Sequence, residues 1–255
     1  MIEHLSSSQI NLYLQCSLKY RFKYIDGIPA TFKSSGLAFG SAVHSALSWF
    51  HKEKMNGGNV SLEKFYQIFD ADWYSQIVDA EIHYKSGEDE MKLSFLAKEL
   101  LSLYFQEKHN NVKGTEIPFV VPLIDPSNGK SLGLNLEGFI DLVEEDDTIV
   151  EFKTSAQTMK QKDIDESLQI TAYCYAYEIF CRKPPKLIKV VDFVKTKKPK
   201  MITLKTTRNK THYQRFFSIT SQVLKGIQSQ IFFPRSSFWC NDCEYKKNCN
   251  TWKSK

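Results

Sequence analysis

The stretch "EGFIDLVEEDDTIVEFKTS", residues 137–155, decides the fold of this chain. Apolar residues on both sides of the acidic turn "EEDD" predict two neighbouring antiparallel strands. Glu151 and Lys153 are two residues apart on the second strand, so their side chains point to the same face. Asp141 lies on the first strand, and a suitable register places it beside Glu151, with Cβ atoms about 5 Å apart.

Two carboxylates this close repel each other unless a cation neutralises them or one of them is protonated. Oxygen ligands of this kind suit Mg²⁺ or Mn²⁺, and a lysine beside such an ion can hold a water molecule or a phosphate oxygen. The pattern therefore favours a catalytic metal site at Asp141, Glu151 and Lys153. The alternative is an ordinary polar strand face, on which the same residue types also occur.

The segments around this hairpin alternate between helical and strand patterns. A strand at 117–124 precedes it and completes a three-stranded meander, and a helix at 163–182 follows it. The order of elements predicts an α/β or α+β domain with a central mixed β-sheet flanked by helices. The other predicted elements are two N-terminal helices, further helices at 62–83, 88–109 and about 211–230, and strands in "KLIKVVDFVKT" and "KMITLKT".

Composition is typical of a globular protein, with 42% hydrophobic and 25% charged residues in 255. The first residues lack the basic and apolar regions of a signal peptide, and no run approaches the ~20 apolar residues of a membrane helix. We therefore expect a cytoplasmic protein in a reducing compartment, without a membrane partner. Six cysteines in such a compartment favour metal binding or buried packing over disulfides.

Basic residues are concentrated in Arg182–Arg215, which has twelve Lys or Arg and one acid, Asp192. The rest of the chain has 22 basic and 28 acidic residues. Such a segment is typical of a polyanion-binding surface, and a solvated, lysine-fringed hairpin is the equal alternative. Within it, Lys195–Arg208 is a candidate track for backbone phosphates. Phe193 and Tyr213 are candidates for stacking on bases, with core packing as the alternative for Phe193.

Three cysteines lie in "CNDCEYKKNC", residues 240–249. A closed metal site usually has four thiolate or imidazole ligands, so this stretch alone is an incomplete zinc knuckle or a redox-sensitive tail. Cys174 and Cys181 lie seven residues apart in an apolar helical segment and are predicted to be packing residues.

Five motifs, in order along the chain, resemble the PD-(D/E)XK nuclease superfamily, in particular its RecB-like branch. "EGFIDLV" and "IVEFKT" resemble motifs II and III, and "FGSAVHSAL" resembles motif I, a helix with a metal-binding histidine, here His44. "LQITAYCYAY" resembles the Q-x-x-x-Y helix, which gives Gln169 and Tyr173. "YLQCSLKYRFKY" with the terminal C-x₂-C-x₅-C resembles the iron–sulfur version of the branch, shared by CRISPR-associated adaptation nucleases and AddB-type subunits. The residue after the first cysteine is often proline in this branch, and here it is Ser17.

The resemblance implies a restriction-endonuclease-like core that binds one or two Mg²⁺ or Mn²⁺ ions. The implied metal ligands are His44, Asp141, Glu151 and the backbone carbonyl of Phe152. The implied catalytic residues are Asp141, Glu151, Lys153, Gln169 and Tyr173. The implied ligands of a [4Fe–4S] cluster are Cys16, Cys240, Cys243 and Cys249. Zn²⁺ stays the alternative at these cysteines, because spacing does not settle the choice.

The resemblance also implies how the chain is organised. Residues 1–255 form a single nuclease domain, and the cysteine-bearing ends at 1–30 and 231–255 form the cluster region. A helical insertion occupies 55–112, and the catalytic core occupies 113–230.

The implied function is that of a metal-dependent exonuclease that hydrolyses phosphodiester bonds in DNA, single-stranded or with a free end. The rival hypothesis is a catalytically silent DNA-binding or assembly subunit of a DNA repair or CRISPR adaptation complex, and the presence of His44, Asp141, Glu151 and Lys153 speaks against it. A third is a zinc-stabilised structural protein without a role on DNA. A helicase or CRISPR adaptation partner follows by analogy alone.

Overall fold

The computed structural model describes residues 2–252. Its strands are β1 His4–Leu5, β2 Lys33–Ser34, β3 Ile82–His83, β4 Val112–Ile124, β5 Ser131–Glu144, β6 Thr148–Ser155, β7 Leu187–Val194 and β8 Lys200–Thr206. Its α-helices are α1 Ser7–Gln15, α2 Ser17–Tyr20, α3 Ser35–Met55, α4 Leu62–Asp79, α5 Glu90–Gln106, α6 Gln161–Asp165, α7 Leu168–Cys181, α8 Lys210–Gln228 and α9 Lys246–Thr251.

Strand β5 organises a six-stranded mixed sheet. β4 runs antiparallel along one edge of β5. The other edge is shared, because β1 pairs in parallel with Asn135 and Leu136, and β6 pairs antiparallel with Leu142 and Val143. β7 adds to β6 in parallel, and β8 adds to β7 antiparallel. The predicted central mixed sheet is confirmed.

Helices cover both faces of this sheet. α3, α4 and α5 bury apolar side chains such as Phe50, Phe65 and Leu100 against one face. α1, α7 and α8 bury side chains such as Ala176 and Phe216 against the other. The predicted fold class, a mixed sheet flanked by helices, is therefore confirmed, and each face of the sheet has its own apolar core.

Strand β6 distributes its side chains between these two cores. Val150 and Phe152 join the core beneath α3, and Ile149 joins the core beneath α7. Because strand residues alternate between faces, Glu151 and Lys153 are directed towards α7. This orientation decides which residues meet at the site described below.

The predicted helix at 163–182 is two helices in the structure, α6 and α7. Ser167 separates them in an extended conformation, and its Oγ accepts a hydrogen bond from the backbone N–H of Ile170 at 3.3 Å. This is an N-cap, which ends one helix and starts the next. The helices predicted at 62–83 and 88–109 correspond to the shorter α4 and α5.

The predicted insertion at 55–112 contains α4 and α5, which pack against α3 and fill the core on that face. Tyr66 on α4 contacts Ser102 on α5, and Asp70 forms an ion pair of 2.8 Å with Lys98. Within residues 2–252, no helix combines the length and the apolar character that crossing a bilayer requires.

Candidate active site

The site forms where β5 and β6 separate. The two strands pair only at Leu142 with Val150 and at Val143 with Ile149 within the described residues. The same register extended by one position sets Asp141 opposite Glu151. There the strands diverge, and Asp141 Oδ2 accepts a hydrogen bond of 2.8 Å from the backbone N–H of Phe152. The Asp141 carboxylate therefore bridges the point at which the strands part.

Two further ligand-type side chains converge on Asp141. His44 lies in the third turn of α3, and its Nδ1 is 3.5 Å from Asp141 Oδ2. Glu116 lies on β4, between residues that pair with Leu142 and Ile140. One ligand atom from each of His44, Glu116 and Asp141 lies within 4.8 Å of the other two. Such a group has the residue types and the proximity that a divalent cation requires.

Glu116 is absent from the sequence prediction. Its backbone is in the left-handed region, with φ of 50°, which is uncommon for a residue other than glycine and clusters at functional sites. Thr115 and Ile117 keep the same register against β5 on either side of it, so Glu116 is the position opposite Asp141. A carboxylate in the otherwise apolar run "EIPFVVPLI" is a signal that could have pointed to it.

Glu151 lies beneath the cleft and is 1% exposed. Lys153 Nζ is 2.5 Å from Glu151 Oε1, yet neither carboxylate oxygen has a hydrogen bond of good alignment within the described residues. Burial raises the pKa of Glu151 to about 7, the Lys153 charge opposes this rise, and the Asp141 charge adds to it. Of the two neighbouring carboxyl groups, Glu151 is therefore the one whose protonated form the site favours.

His44 and Asp141 stabilise each other's charged forms. Burial lowers the pKa of His44, but the hydrogen bond and charge of Asp141 outweigh this and raise it. Burial raises the pKa of Asp141, but His44 and the Phe152 N–H outweigh this and hold it below its ordinary value. Asp141 is thus ionised and ready to bind a cation.

Gln169 and Tyr173 on α7 form a chain of hydrogen bonds that begins at Lys153. Lys153 Nζ donates a hydrogen bond of 2.6 Å to Gln169 Oε1. Gln169 Nε2 in turn donates one of 2.6 Å to the Tyr173 hydroxyl, and burial with the nearby carboxylates raises the pKa of Tyr173. Both ends of the amide are therefore engaged within the protein, so the geometry supports a role in positioning Lys153.

An open cleft of about 890 Å³ lies between α3 and the parting strands. His44, Glu116, Asp141, Phe152 and Lys153 all line it. α3 lies close to β6 here, since a Cβ atom on Gly40 would stand 3.2 Å from Thr154 Oγ1. The structure therefore brings the predicted residues from α3, β5, β6 and α7 to one place and adds Glu116.

A sequence model of the PD-(D/E)XK nuclease superfamily matches residues 4–250. The chain belongs to the PD-(D/E)XK nuclease superfamily. No curated protein sequence matches it.

Among solved structures, a candidate exonuclease from Eubacterium rectale is similar to this superfamily member with a TM-score of 0.63 and 14% identity. The alignment covers 99% of this chain and 90% of the other, and it shows a shared fold. The protein SSO0001 aligns with a TM-score of 0.40 and 11% identity over 97% of this chain and 94% of the other. That value is too low to support any argument.

The four cysteines predicted as cluster ligands line one cavity of about 180 Å³ in this superfamily member, and all are free thiols. Burial raises the pKa of Cys249, and the neighbouring thiols of Cys16, Cys243 and Cys240 add to the rise. Within residues 2–252, however, no three cysteine sulfurs lie within 4.8 Å of one another. The thiols are neighbours around a common space rather than a closed ligand shell.

Ser17 ties the two cysteine-bearing ends together. Its hydroxyl accepts a hydrogen bond of 2.9 Å from the Phe233 N–H and lies 3.2 Å from the Phe233 carbonyl. Lys19 pairs with Glu244 at 2.7 Å. Proline, the usual residue of the branch at this position, has no hydroxyl. Ser17 therefore forms contacts with Phe233 that a proline would lack.

The predicted phosphate track is only partly available. Arg208 donates hydrogen bonds to Thr171 Oγ1 and to the Ile164 carbonyl, so its guanidinium is engaged within the fold. The predicted stacking role of Phe193 and Tyr213 is wrong, because both rings are buried, at 0% and 5% exposure. Both pack in the cores on the two faces of the sheet.

In EDTA, we expect the stability of the wild-type protein to fall as the pH rises from about 4.5 to 7, and Glu151→Gln to remove this fall. The folded protein holds a proton on Glu151 up to about pH 7, whereas the unfolded chain releases it near 4.5. The Glu151 proton therefore contributes fully to the free energy of unfolding below pH 4.5, and this contribution is lost as the pH rises through the pKa of the folded state. Between pH 5 and pH 8 the variant should therefore lose less stability than the wild type does.

Denaturant unfolding at pH 5 and pH 8 measures this difference. Glu63→Gln, which replaces an exposed carboxylate at the start of α4, should keep the wild-type pH dependence. An unchanged pH dependence in Glu151→Gln would show that Glu151 does not hold the proton.

Proposed function

We propose that the protein is a Mg²⁺- or Mn²⁺-dependent deoxyribonuclease that acts as an exonuclease on single strands or DNA ends. The observation that carries this proposal is the convergence of His44, Glu116 and Asp141 within 4.8 Å, in a cleft that Lys153 also lines. Membership of the superfamily supports hydrolysis of a phosphodiester bond as the reaction. The name of the Eubacterium rectale protein agrees with exonuclease action.

The residues present fit a divalent cation. Lys153 Nζ lies 2.5 Å from Glu151 Oε1, whereas Oε2 is buried without a hydrogen-bond partner among the described residues, so a further ligand would satisfy a buried polar atom there. His44, Glu116, Asp141 and Glu151 would hold the ion, with the Phe152 carbonyl as a further ligand. When bound, the ion supplies a water of lowered pKa and positive charge beside the scissile phosphate.

The side chains of this chain orient the reaction. Lys153 presents its ammonium at the cleft, where it orients the attacking water and balances the negative charge that grows on the phosphate oxygens. Gln169 holds that ammonium through a 2.6 Å hydrogen bond. Tyr173 fixes the amide, so that its oxygen faces Lys153 and its nitrogen faces the hydroxyl. Gln169 and Tyr173 are therefore proposed as positioning residues.

We also propose that Cys16, Cys240, Cys243 and Cys249 bind a [4Fe–4S] cluster, with Zn²⁺ as the alternative occupant. Their common cavity and the contacts between the two ends of the chain support this. The cluster would put the protein in the iron–sulfur version of the RecB-like branch. Its role is structural, since these cysteines stand apart from the residues that line the catalytic cleft.

The proposed organisation keeps one nuclease domain, with a catalytic core at 113–230, a helical insertion at 55–112 and the cluster region at 1–30 and 231–255. A helicase or a CRISPR adaptation protein as partner rests on family analogy alone.

End-labelled single- and double-stranded DNA, incubated with Mg²⁺, Mn²⁺ or EDTA, tests the proposed function. We expect shortened products with either metal and none in EDTA or with Asp141→Asn. Covalently closed circular single strands have no ends, so an exonuclease should leave them intact. Cleavage of these circles would show that the protein is an endonuclease instead. A wild-type protein that cleaves no substrate would favour the silent subunit.

A further inference from the structure

We propose that unpaired bases of a single strand stack on the exposed aromatic pair Phe238–Trp239, and that the strand runs from there into the catalytic cleft. This inference rests on the proposed nuclease function and names the form of nucleic acid that the site receives. It gives the cysteine-bearing tail a part in substrate binding, separate from its structural part.

The aromatic pair has the properties of a binding surface. Phe238 and Trp239 are 73% and 58% exposed, and their ring centroids are 4.4 Å apart at an angle of 34°. They lie on a short helical turn, Phe238–Cys240, which the Cys240 N–H closes by donating to the Ser237 carbonyl at 3.0 Å. Two large exposed rings side by side, on a defined turn, are typical of an interaction site.

A groove extends from this pair to the first turn of α3. Its volume is about 850 Å³, and Phe238, Trp239, Gly36 and Leu37 are among the residues that line it. Gly36 and Leu37 also line the catalytic cleft, so the two depressions are neighbours at the first turn of α3. At a rise of 1.5 Å per residue, Leu37 stands about 10 Å along α3 from His44.

The charge of the groove favours bases over a phosphate track. Four lysines and four carboxylates line it, and one of each, Lys19 and Glu244, form an ion pair of 2.7 Å. A duplex presents its phosphates outwards and its base faces only to each other, so it gains little from a neutral groove with aromatic rings. A single strand offers free base faces, and stacking on aromatic side chains binds it without sequence preference.

Affinity for single strands of different length tests the inference. Fluorescein-labelled dT20 and dT4 are titrated with the full-length protein in EDTA, and anisotropy gives Kd. Replacing Phe238 and Trp239 together by alanine should weaken dT20 binding by about tenfold or more. The affinity for dT4, which is short enough to occupy the catalytic cleft alone, should change less than about twofold.

Control variants separate stacking from a general loss of structure. Phe180→Ala removes a ring of similar exposure, 55%, at the end of α7 and away from the groove, and should bind dT20 as the wild type does. Trp239→Phe keeps a stacking surface and should retain most of the affinity. If the double variant unfolds early, Trp239→Ala alone is compared with Trp239→Phe, with melting temperature and bound metal measured for both.

The outcomes distinguish this inference from the proposed function. Equal dT20 affinity in wild type and double variant, or an equal loss in Phe180→Ala, would overturn the inference whether or not the protein cleaves DNA. The wild-type protein could also bind dT20 through the aromatic pair and yet cleave no DNA. That result would overturn the nuclease proposal and support the inferred binding groove.

Discussion

Replacing Lys153 with alanine is expected to lower DNA cleavage in Mg²⁺ by about a thousandfold while Kd for DNA in EDTA changes by less than about threefold. The Lys153 ammonium lies at the cleft, 2.5 Å from Glu151 Oε1 and 2.6 Å from Gln169 Oε1. It is therefore placed to act on charge that develops during the reaction, whereas binding of a long strand draws on many other contacts. Cleavage rates on an end-labelled strand and fluorescence anisotropy measure the two effects.

Two matched variants make this result specific. Lys162→Ala removes a lysine whose side chain is 78% exposed, on α6, and should cleave at the wild-type rate. Lys153→Arg keeps the charge but changes the shape and donor geometry of the head group, so it should recover only part of the activity. Cleavage by Lys153→Ala at more than about a tenth of the wild-type rate would remove Lys153 from the catalytic residues.

Replacing Cys243 with alanine is expected to release the bound metal and to lower the thermal unfolding midpoint by about 10 °C or more. Cys243 lines the cavity that it shares with Cys16, Cys240 and Cys249. A metal bound there would join the start of the chain to its tail, and its binding free energy would be part of the folding free energy. Iron and zinc analysis, visible absorbance and calorimetry on anaerobically purified protein measure the change.

The other two cysteines serve as controls for this experiment. Cys181→Ser replaces an exposed thiol outside the cavity and should leave metal content and melting temperature unchanged. Cys174→Ala replaces a fully buried thiol, so it should lower stability through lost packing while metal content stays the same. Full metal content in Cys243→Ala would contradict the proposed ligand set.

Short-range patterns were sufficient to predict the hairpin and its candidate residues, whereas His44, Gln169 and Tyr173 were assigned only through the resemblance to the family. A two-residue period and an acidic turn predict β5 and β6, and they also put Asp141, Glu151 and Lys153 on one face. Glu116 could not be found in this way. Its position opposite Asp141 depends on the register of β4 against β5 and on a left-handed backbone, and both are consequences of tertiary packing.

Charge pattern was a poorer guide than strand pattern. The basic segment contains Lys183, Lys186 and Lys189, and these pair with Asp147, Asp146 and Glu144, at the end of β5 and in the turn after it. The "EEDD" turn and the basic segment are far apart in sequence and adjacent in the fold. A count of charges along the chain cannot reveal such pairing, so it overstated the surface available to a polyanion.

The sheet is two half-sheets joined by a short seam. β4, β5 and β1 form one half and β6, β7 and β8 form the other, and within the described residues only two residue pairs connect β5 to β6. Asp141 and Glu151 stand at the end of that seam, one on each half. Any ligand that joins their carboxylates would therefore also clamp the two halves, so the amide protons around Val143 and Ile149 should exchange with solvent more slowly when the site is filled. Ligand binding at the site and local opening of the sheet are therefore coupled at the same pair of strands.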